Sequence, residues 1–251
     1  MIEEIYYGTT WKWAVPYIPR VMLSANVVKN HKSTWIINKP WMMDSGVGGM
    51  FKGKAREFGI DRYAEILNLW KPPIAWSYDY PCEPSVRHKF RYTVKQAQER
   101  TTDNTAYLLE KYDRVNAVVQ GWELEEYLEH IDQIKERGVL TEHLGIGSIC
   151  RRGQDKQIAS IIRAIRKNVP QWVKLHGFGV KTSILNTEAK FFFHSADTSA
   201  WSIERRYYSW SDNNQKGQVW QQKVPYLIDY VNKMETKIFK LRKQYVFEVY
   251  P

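Results

Sequence analysis

A carboxylate, a hydroxyl and a run of glycines follow one another in the stretch Trp41–Phe51 (WMMDSGVGGMF). Three apolar side chains lead into Asp44, Ser45 comes next, and glycines stand at positions 46, 48 and 49. An apolar run that ends in Asp-Ser-Gly predicts a buried strand with a charged side chain at its end. The glycines let the backbone approach a ligand closely, because they lack a Cβ. The same residues are typical of a turn that caps a helix, here one beginning near Lys54, and for this stretch alone we favour that interpretation.

Eight apolar runs, most of them separated by segments of helical periodicity, are the elements that would position such residues. Short apolar runs between turn residues predict buried strands, and apolar residues spaced by three and four predict helices. The predicted strands are Glu4–Gly8, Val21–Val28, Thr34–Asn38 with Trp41–Asp44, Ile74–Tyr80, Asn116–Gln120, Val139–Gly147, Trp172–Gly179 and Lys190–Asp197. The predicted helices cover residues 55–70, 86–112, 122–137, 155–168, 181–188 and 224–245.

This alternation predicts an α/β protein built as a (β/α)8 TIM-like barrel. We expect a single domain over residues 1–251, with a basic helical tail at about 220–251. An open doubly wound sheet is the alternative, but no GxGxxG follows the first strand. Chemistry in a barrel lies at the carboxyl ends of the strands. From the third strand onward these ends read DSGVGG, DYPCEP, QGWE, GIGS, HGFG and DTSAW. A tight turn explains any one of these strand ends, whereas six of them in succession favour a functional site.

The net charge favours a polyanionic partner. Thirty-seven Lys and Arg residues against 27 Asp and Glu residues give a formal charge of +10. Basic residues also interleave with aromatic ones, as in RRYY at 205–208 and KIFKLRK at 237–243. Such a balance is typical of nucleic-acid binding, although an ordinary solvated basic surface explains it nearly as well.

The compartment is predicted from the N-terminus and the cysteines. MIEEIYYGTT lacks the basic start and apolar core of a signal peptide, and no apolar run approaches the roughly 20 residues that span a bilayer. Cys82 and Cys150 stand alone, without any CxxC, which argues for a reducing compartment and against a cysteine-rich zinc site. We therefore expect a cytoplasmic protein without a membrane partner.

Six short motifs in a fixed order resemble those of the tRNA-guanine transglycosylases. They are Asp44-Ser-Gly, Asp79-Tyr-Pro-Cys82, Val119-Gln120-Gly121, Leu144-Gly-Ile-Gly147, His176-Gly-Phe-Gly179 and Asp197. Each is weak alone, but the ordered set at barrel spacing is fairly specific and covers most of the chain. The resemblance implies a (β/α)8 barrel that exchanges guanine for a 7-deazaguanine base.

One departure from the tRNA enzymes narrows the resemblance. Those enzymes carry a zinc subdomain with clustered cysteines and a histidine after the last strand, whereas this chain has no cysteine or histidine beyond Asp197. It is more similar to the compact, DNA-modifying branch, the DpdA-type 7-deazaguanine transglycosylases. The resemblance therefore implies no zinc subdomain, no metal and no cofactor. It implies double-stranded DNA and a free 7-deazaguanine base (preQ0-like) as partners, with helper proteins as a further possibility.

The resemblance assigns the two catalytic roles to carboxylates. Asp197 matches the family's nucleophile, which takes C1′ of the sugar, and Asp44 matches its general acid/base. Retaining glycosidases use two carboxylates around a glycosidic bond in the same way. Without the resemblance we would interpret Asp197 as the N-cap of a following segment.

The resemblance also assigns base recognition. Asp79 would accept hydrogen bonds from the guanine edge and Gln120 would donate to O6. His176 would cover the purine face, with a packed core histidine as an equally weighted alternative. Cys82 is more typical of packing than of catalysis. The remaining base-binding residues are expected to be Ser45, Gly46, Gly121, Leu144, Gly145 and Gly177. Arg205 and Arg206 stand where family members hold phosphates, although a solvated surface pair explains them nearly as well.

Three further functions stay open. A tRNA-directed transglycosylase without its zinc module would use the same chemistry on another polymer. A non-catalytic nucleic-acid-binding barrel would not need both Asp44 and Asp197. A barrel glycosidase acting on sugars fits the carboxylates but not the charge of +10.

Overall fold

A closed barrel of eight parallel strands forms the centre of the protein. The computed structural model describes residues 1–47, 58–150, 152–201 and 223–249. Within these residues the strands pair in chain order from β1 to β8, and β8 pairs back to β1. The strands are β1 Glu4–Thr9, β2 Val21–Ser24, β3 Trp41–Asp44, β4 Ile74–Trp76, β5 Val115–Val119, β6 His143–Ile146, β7 Lys174–Gly177 and β8 Ser195–Thr198. The predicted (β/α)8 barrel is confirmed.

Helices follow most of the strands and cover the outside of the barrel. They are α1 Ala25–Val28, α2 Ile60–Trp70, α3 Pro84–Phe90, α4 Val94–Lys111, α5 Leu124–Glu136, α6 Asp155–Asn168 and α7 Val224–Val249. Short 3-10 helices span Lys12–Tyr17, Thr182–Asn186 and Glu188–Phe191. The bounds of α6 agree with the sequence prediction, because its isoleucines are spaced at helical intervals and all face the core.

Several predicted boundaries are wrong. The apolar run Val21–Val28 leaves the sheet after Ser24 and continues as α1. Thr34–Asn38 is not a strand. The long helical pattern of residues 86–112 is two helices, separated where Arg91 adopts a left-handed φ of 55°. α2 begins at Ile60 rather than at residue 55. These errors share one cause, which is that apolar side chains in connecting segments also pack into the core, so hydrophobicity alone does not mark where a strand ends.

The inside of the barrel is filled by large apolar side chains. Met22, Met42, Trp76 and Val118 are buried there, with Tyr6 beside them. The ring of Trp76 stacks on a buried histidine, His176, at a centroid distance of 4.8 Å. This layer closes the barrel below the carboxyl ends of the strands, so a ligand inside the barrel would lie above it.

The C-terminal helix α7 packs against β1 and the 3-10 helix that follows it. Arg20 donates to both carboxylate oxygens of Glu235 at 2.5 Å, and the Tyr7 hydroxyl donates to the same carboxylate at 2.8 Å.

No helix in the described part of the chain, the 26-residue α7 included, combines the length and apolar content needed to cross a membrane. The extent of the domain as a single unit over residues 1–251 stays a prediction.

Candidate active site

A cavity of about 180 Å³ opens at the carboxyl ends of the strands. This volume is below the roughly 300–1,000 Å³ of sites for drug-sized ligands, so it suits a ligand the size of one base. The lining residues are Met22, Asp44, Asp79, Pro81, Glu83, Gln120, Gly147, Ser148, Cys150, Phe178, Gly179 and Asp197. The structure thus brings together four of the predicted site residues, Asp44, Asp79, Gln120 and Asp197.

Strand alternation places two of these side chains. Asp44 stands two residues beyond Met42, and Gln120 stands two residues beyond Val118. Successive side chains on a strand point to opposite sides, so residues two apart point the same way. Because Met42 and Val118 point into the barrel, Asp44 and Gln120 point inward one layer higher, above the apolar floor.

Asp44 is partly buried and its proton affinity is raised. Burial raises the pKa of Asp44 to about 7, and the nearby carboxylates of Asp79 and Asp197 act in the same direction. The backbone N–H of Gly46 opposes them by donating to Asp44 Oδ2 at 3.1 Å. The φ of +79° at Gly46 favours glycine, and a Cβ there would lie 2.5 Å from Ser24 Oγ. At neutral pH the Asp44 carboxyl therefore exists in both protonation states, which a group that donates and later accepts a proton needs.

Asp79 lies beyond β4, in a loop fixed by α4. The backbone N–H of Tyr80 donates to Thr101 Oγ1 at 2.9 Å, which holds this loop. Gln120 Nε2 donates to Asp79 Oδ2 at 2.5 Å, and Ser45 Oγ donates to Oδ1 at 3.2 Å. Burial raises the pKa of Asp79 to about 6 in spite of these hydrogen bonds. The ionised Asp79 carboxylate can accept further hydrogen bonds from a ligand in the cavity.

Asp197 is held from the neighbouring strand β7. The backbone N–H of Gly179 donates to Asp197 Oδ1 at 2.8 Å, and the Asp197 side chain is 14% exposed. His176 Nε2 lies 3.5 Å from the same oxygen, and within the described residues it has no hydrogen-bond partner. Its Nδ1 lies 2.8 Å from Ser195 Oγ. The His176 ring is fully buried, so it offers no face to a base, and the packed interpretation fits the structure.

Seven predicted base-binding residues are absent from the cavity lining, namely Ser45, Gly46, His176, Gly121, Leu144, Gly145 and Gly177. A Cβ on Gly121 would lie 2.9 Å from Tyr127. A Cβ on Gly145 would lie 2.5 Å from the Phe178 ring, and one on Gly177 would lie 2.5 Å from the Val180 side chain. These three glycines allow close packing between elements. Leu144 is fully buried in the core outside the barrel. Cys82 is also buried, as its packing interpretation required.

Two predicted residues cannot be placed. Arg205 and Arg206, the expected phosphate contacts, lie outside the described residues, as do Gly48 and Gly49 of the glycine-rich stretch.

The sequence analysis missed Glu83, Gly147, Ser148, Phe178 and Gly179 as site residues. All five belong to the segments DYPCEP, GIGS and HGFG. The sequence identified these loops and, in DYPCEP, Asp79, but in GIGS and HGFG it selected residues that are absent from the cavity lining. β6 ends at Ile146, which places Gly147 and Ser148, rather than Leu144 and Gly145, at the cavity.

Four carboxyl side chains (Asp44, Asp79, Glu83 and Asp197) and the Gln120 amide around a base-sized cavity define the chemistry that this site can perform. One partly protonated acid and one hydrogen-bonded carboxylate, at a barrel's carboxyl ends, are the groups that glycosidic-bond chemistry uses. Among the described residues, no group of three or more His, Cys, Asp and Glu side chains is arranged to hold a metal ion.

The fold and the cavity define a (β/α)8 barrel with a carboxylate-lined site. A family model described as DeoxyPurine in DNA protein A (DpdA) matches residues 4–221. The chain belongs to this family, and the resemblance to the DNA-modifying branch is confirmed. No curated protein matches the chain. Membership of the family supports a transglycosylase-like role in DNA modification.

Proposed function

We propose that this protein replaces guanine in DNA by a 7-deazaguanine base through a covalent aspartyl–deoxyribose intermediate. The observation that carries the proposal is the convergence of Asp44, Asp79 and Asp197 on one base-sized cavity in a chain of the DpdA family. The net charge of +10 suits a polyanionic substrate.

In the first half-reaction Asp197 attacks C1′ of a guanosine that has been flipped out of the duplex. Flipping costs a few kcal/mol, which contacts in the pocket must offset. The C1′–N9 bond breaks as the bond from the Asp197 carboxylate to C1′ forms, and Asp44 gives its proton to the leaving guanine. The raised pKa of Asp44, about 7, supplies this proton near neutral pH.

In the second half-reaction the incoming 7-deazaguanine attacks C1′ and displaces Asp197. The ionised Asp44 takes the proton that the incoming base loses, which restores the starting state. Two inversions at C1′ retain the β configuration, as in retaining glycosidases. The bond energy passes from one glycosidic bond to the next, so the reaction needs no cofactor or energy source.

Base recognition is assigned to Asp79 and Gln120. The Asp79 carboxylate would accept from N1–H and the exocyclic amine of guanine, and the Gln120 amide would donate to O6. Ser45 orients Asp79 by its hydrogen bond, and Gly46 orients Asp44. Glycine at 121, 145 and 177 serves the packing around these groups.

The proposal is tested in cells that express the protein and contain 7-deazaguanine bases. Their DNA is digested to nucleosides and analysed by mass spectrometry, with the Asp197→Ala variant as the matched control. We expect a 7-deazaguanine deoxynucleoside in the wild-type sample only. Modified nucleosides in tRNA instead of DNA would favour the tRNA-directed alternative, and DNA binding without any modified base would favour a non-catalytic barrel. Helper proteins from the source organism can be added if the single chain is inactive.

Polymer choice has an independent test in the salt dependence of binding. Each phosphate neutralised contributes about −0.9 to the slope of log affinity against log salt concentration on duplex DNA. We expect a steep slope and preference for duplex DNA over folded tRNA in direct competition. An affinity that does not change with salt concentration, or tighter binding of folded tRNA in the competition, would contradict DNA as the substrate.

A further inference from the structure

A buried histidine lies behind the Asp197 carboxylate. The pairing of β7 with β8 sets His176 opposite Ser195, and Asp197 stands two residues beyond Ser195 on the same strand. Because side chains two apart on a strand point the same way, Ser195 and Asp197 both point into the barrel, one layer apart. The His176 ring spans these two layers. Its Nδ1 lies 2.8 Å from Ser195 Oγ, and its Nε2 lies 3.5 Å from Asp197 Oδ1.

Aromatic side chains fix the orientation of the His176 ring. Trp76 stacks on the ring at a centroid distance of 4.8 Å, and Phe178 contacts it edge-on at 5.0 Å. The ring of Tyr6 approaches it at 6.3 Å, also edge-on. His176 is fully buried, and close packing of this kind leaves a ring little room to turn. Its Nε2 therefore stays directed at Asp197.

The proton on the His176 ring can be assigned from its two neighbours. A neutral imidazole carries one N–H and one lone pair. With the proton on Nδ1, the lone pair of Nε2 would face the Asp197 carboxylate inside the protein, which is unfavourable. With the proton on Nε2, the ring directs an N–H at Asp197 Oδ1, and Nδ1 accepts from the Ser195 hydroxyl. Ser195 thus selects the tautomer whose N–H faces Asp197.

The two oxygens of the Asp197 carboxylate have different surroundings. The backbone N–H of Gly179 donates to Oδ1 at 2.8 Å, and His176 Nε2 faces the same atom. No hydrogen bond from the part of the chain that the structure describes reaches Oδ2. The distance of 3.5 Å from Nε2 to Oδ1 is longer than a hydrogen bond. Catalytic hydrogen bonds are often long before the substrate binds and shorten in the complex.

We propose that His176 is a positioning residue for Asp197, which together with the backbone N–H of Gly179 holds Oδ1 and leaves Oδ2 to attack C1′. This role rests on the proposed function and deepens it by giving the two oxygens separate tasks. In the first half-reaction Oδ2 supplies the electron pair of the new bond to C1′. The electron pair of the C1′–N9 bond leaves with guanine, which gains its proton from Asp44. Oδ1 becomes the carbonyl oxygen of the ester.

The donors at Oδ1 assist the second half-reaction more than the first. When the incoming base displaces Asp197, the electron pair of the C1′–Oδ2 bond returns to the carboxylate, and the negative charge spreads over both oxygens. Fixed donors at Oδ1 stabilise this developing charge, as the donors of an oxyanion hole do. Before attack, the same donors stabilise the free carboxylate, so they do not accelerate formation of the adduct. His176 therefore prevents the covalent adduct from accumulating.

The experiment measures formation and decay of the adduct separately. A labelled DNA duplex that contains guanine is mixed with excess protein, and denaturing gels follow the adduct over time. Decay is started by an excess of free guanine, which acts as the incoming base. His176→Leu fills a similar space but removes the N–H. We expect the ratio of the decay rate to the formation rate to fall by about tenfold or more, the scale of one hydrogen bond to a charged group. The variant should therefore hold more adduct at steady state than the wild type.

Two further variants test the N–H and its tautomer. His176→Gln places an amide N–H near the position of Nε2, so it should restore much of the decay rate. Ser195→Ala removes only the group that selects the tautomer, so it should lower the same ratio by a smaller factor than His176→Leu. It also tests the proposal if His176→Leu does not fold, which thermal unfolding of each variant detects.

His143→Leu is the matched control. His143 also contacts the Trp76 ring, and within the described residues its buried Nδ1 likewise has no hydrogen-bond partner. It begins β6, at the end of the strand away from the cavity, and is absent from the cavity lining. Both rates should equal those of the wild type.

Two results would overturn this role of His176 and leave the proposed function intact. Equal slowing of formation and decay in His176→Leu would reduce His176 to a packing residue. Decay as slow in His176→Gln as in His176→Leu would show that the N–H has no part in releasing the sugar. Absence of any adduct in the wild type would overturn the proposed function as well.

Discussion

Two sides of the cavity are built in different ways. The reading wall consists of Asp79, Glu83, Gln120 and Ser148, with Ser45 bonded to Asp79 behind it. The β8 wall consists of Gly179 and Asp197, with His176 and Ser195 buried behind it. Side chains from four separate loops hydrogen-bond one another in the reading wall. The β8 wall is assembled from β7, β8 and the turn after β7, and Asp197 receives a backbone N–H.

Under the proposed function, the difference teaches that base recognition and bond formation place different demands on the protein. Discrimination between bases needs several donors and acceptors in one fixed pattern, so its residues depend on one another. A nucleophile needs one oxygen near C1′, and adjacent strands of a barrel are sufficient to place it. Asp44 lies between these cases, since its pKa depends on Asp79 in one wall and on Asp197 in the other.

Asp197→Ala should have the largest effect, because the proposed mechanism forms the covalent bond to C1′ at this carboxylate of the β8 wall. We expect covalent attachment to guanine-containing DNA to be lost and base exchange to fall by roughly 10³–10⁶-fold. Incubation with DNA followed by a denaturing gel detects the adduct. An adduct that persists in this variant would place the nucleophile elsewhere. Circular dichroism should show an unchanged fold.

Asp44→Asn should have the next largest effect. It removes the proton donor of the proposed mechanism, so the rate of adduct formation should fall by roughly 10²–10⁴-fold while DNA binding stays the same. In the wild type this rate should decline as the pH rises through about 7, because Asp44 must be protonated to assist the leaving guanine. Single-turnover adduct formation as a function of pH measures both. A rate that increases through this range would show that Asp44 is not the acid.

Asp79→Asn should have an intermediate effect confined to the reading wall. One of the two accepting carboxylate oxygens of Asp79 becomes an amide NH₂, which donates instead. This should cost about 1–3 kcal/mol of guanine discrimination. Competition between guanine and adenine for the free protein measures this loss. Adduct chemistry at Asp197 should persist once a guanosine is bound. Unchanged guanine selection would make Asp79 a structural residue.

The smallest expected effect is on stability. Here the substitution should stabilise the protein, whereas the substitutions above should weaken its activity. The pKa of Asp44 in the folded protein, about 7, lies above its value in the unfolded chain, so the folded state holds more protons between these values. Wild-type stability should therefore decline as the pH rises from about 4 to about 7. Asp44→Asn should remove part of this decline and stabilise the protein by about 1–3 kcal/mol above that range. Thermal unfolding at several pH values measures it, with Asp61→Asn on α2 as an exposed control. A variant that follows the wild-type decline would contradict the assignment.

The sequence by itself determined the barrel and its chemically active end. Eight short apolar runs between helical patterns leave few alternatives, because a strand buried on both faces must be apolar and parallel strands need crossover helices. The same alternation of side chains that buries Met42 and Val118 directs Asp44 and Gln120 inward. Asp197 was selected through the family resemblance, and the structure places it at the cavity, at the carboxyl end of β8.

Only the tertiary structure decided which residues of each loop reach the cavity. Glu83 and Ser148 are 65 residues apart in the chain and share one hydrogen bond, and no local pattern encodes such a contact. From the sequence, His176 covering a base and His176 packing in the core had equal weight, and the structure buries its ring against Trp76. The glycines at 121, 145 and 177 serve close packing that depends on the side chains opposite them. Local sequence fixes the direction of a side chain on a strand, whereas its partners come from distant loops that meet only when the barrel closes.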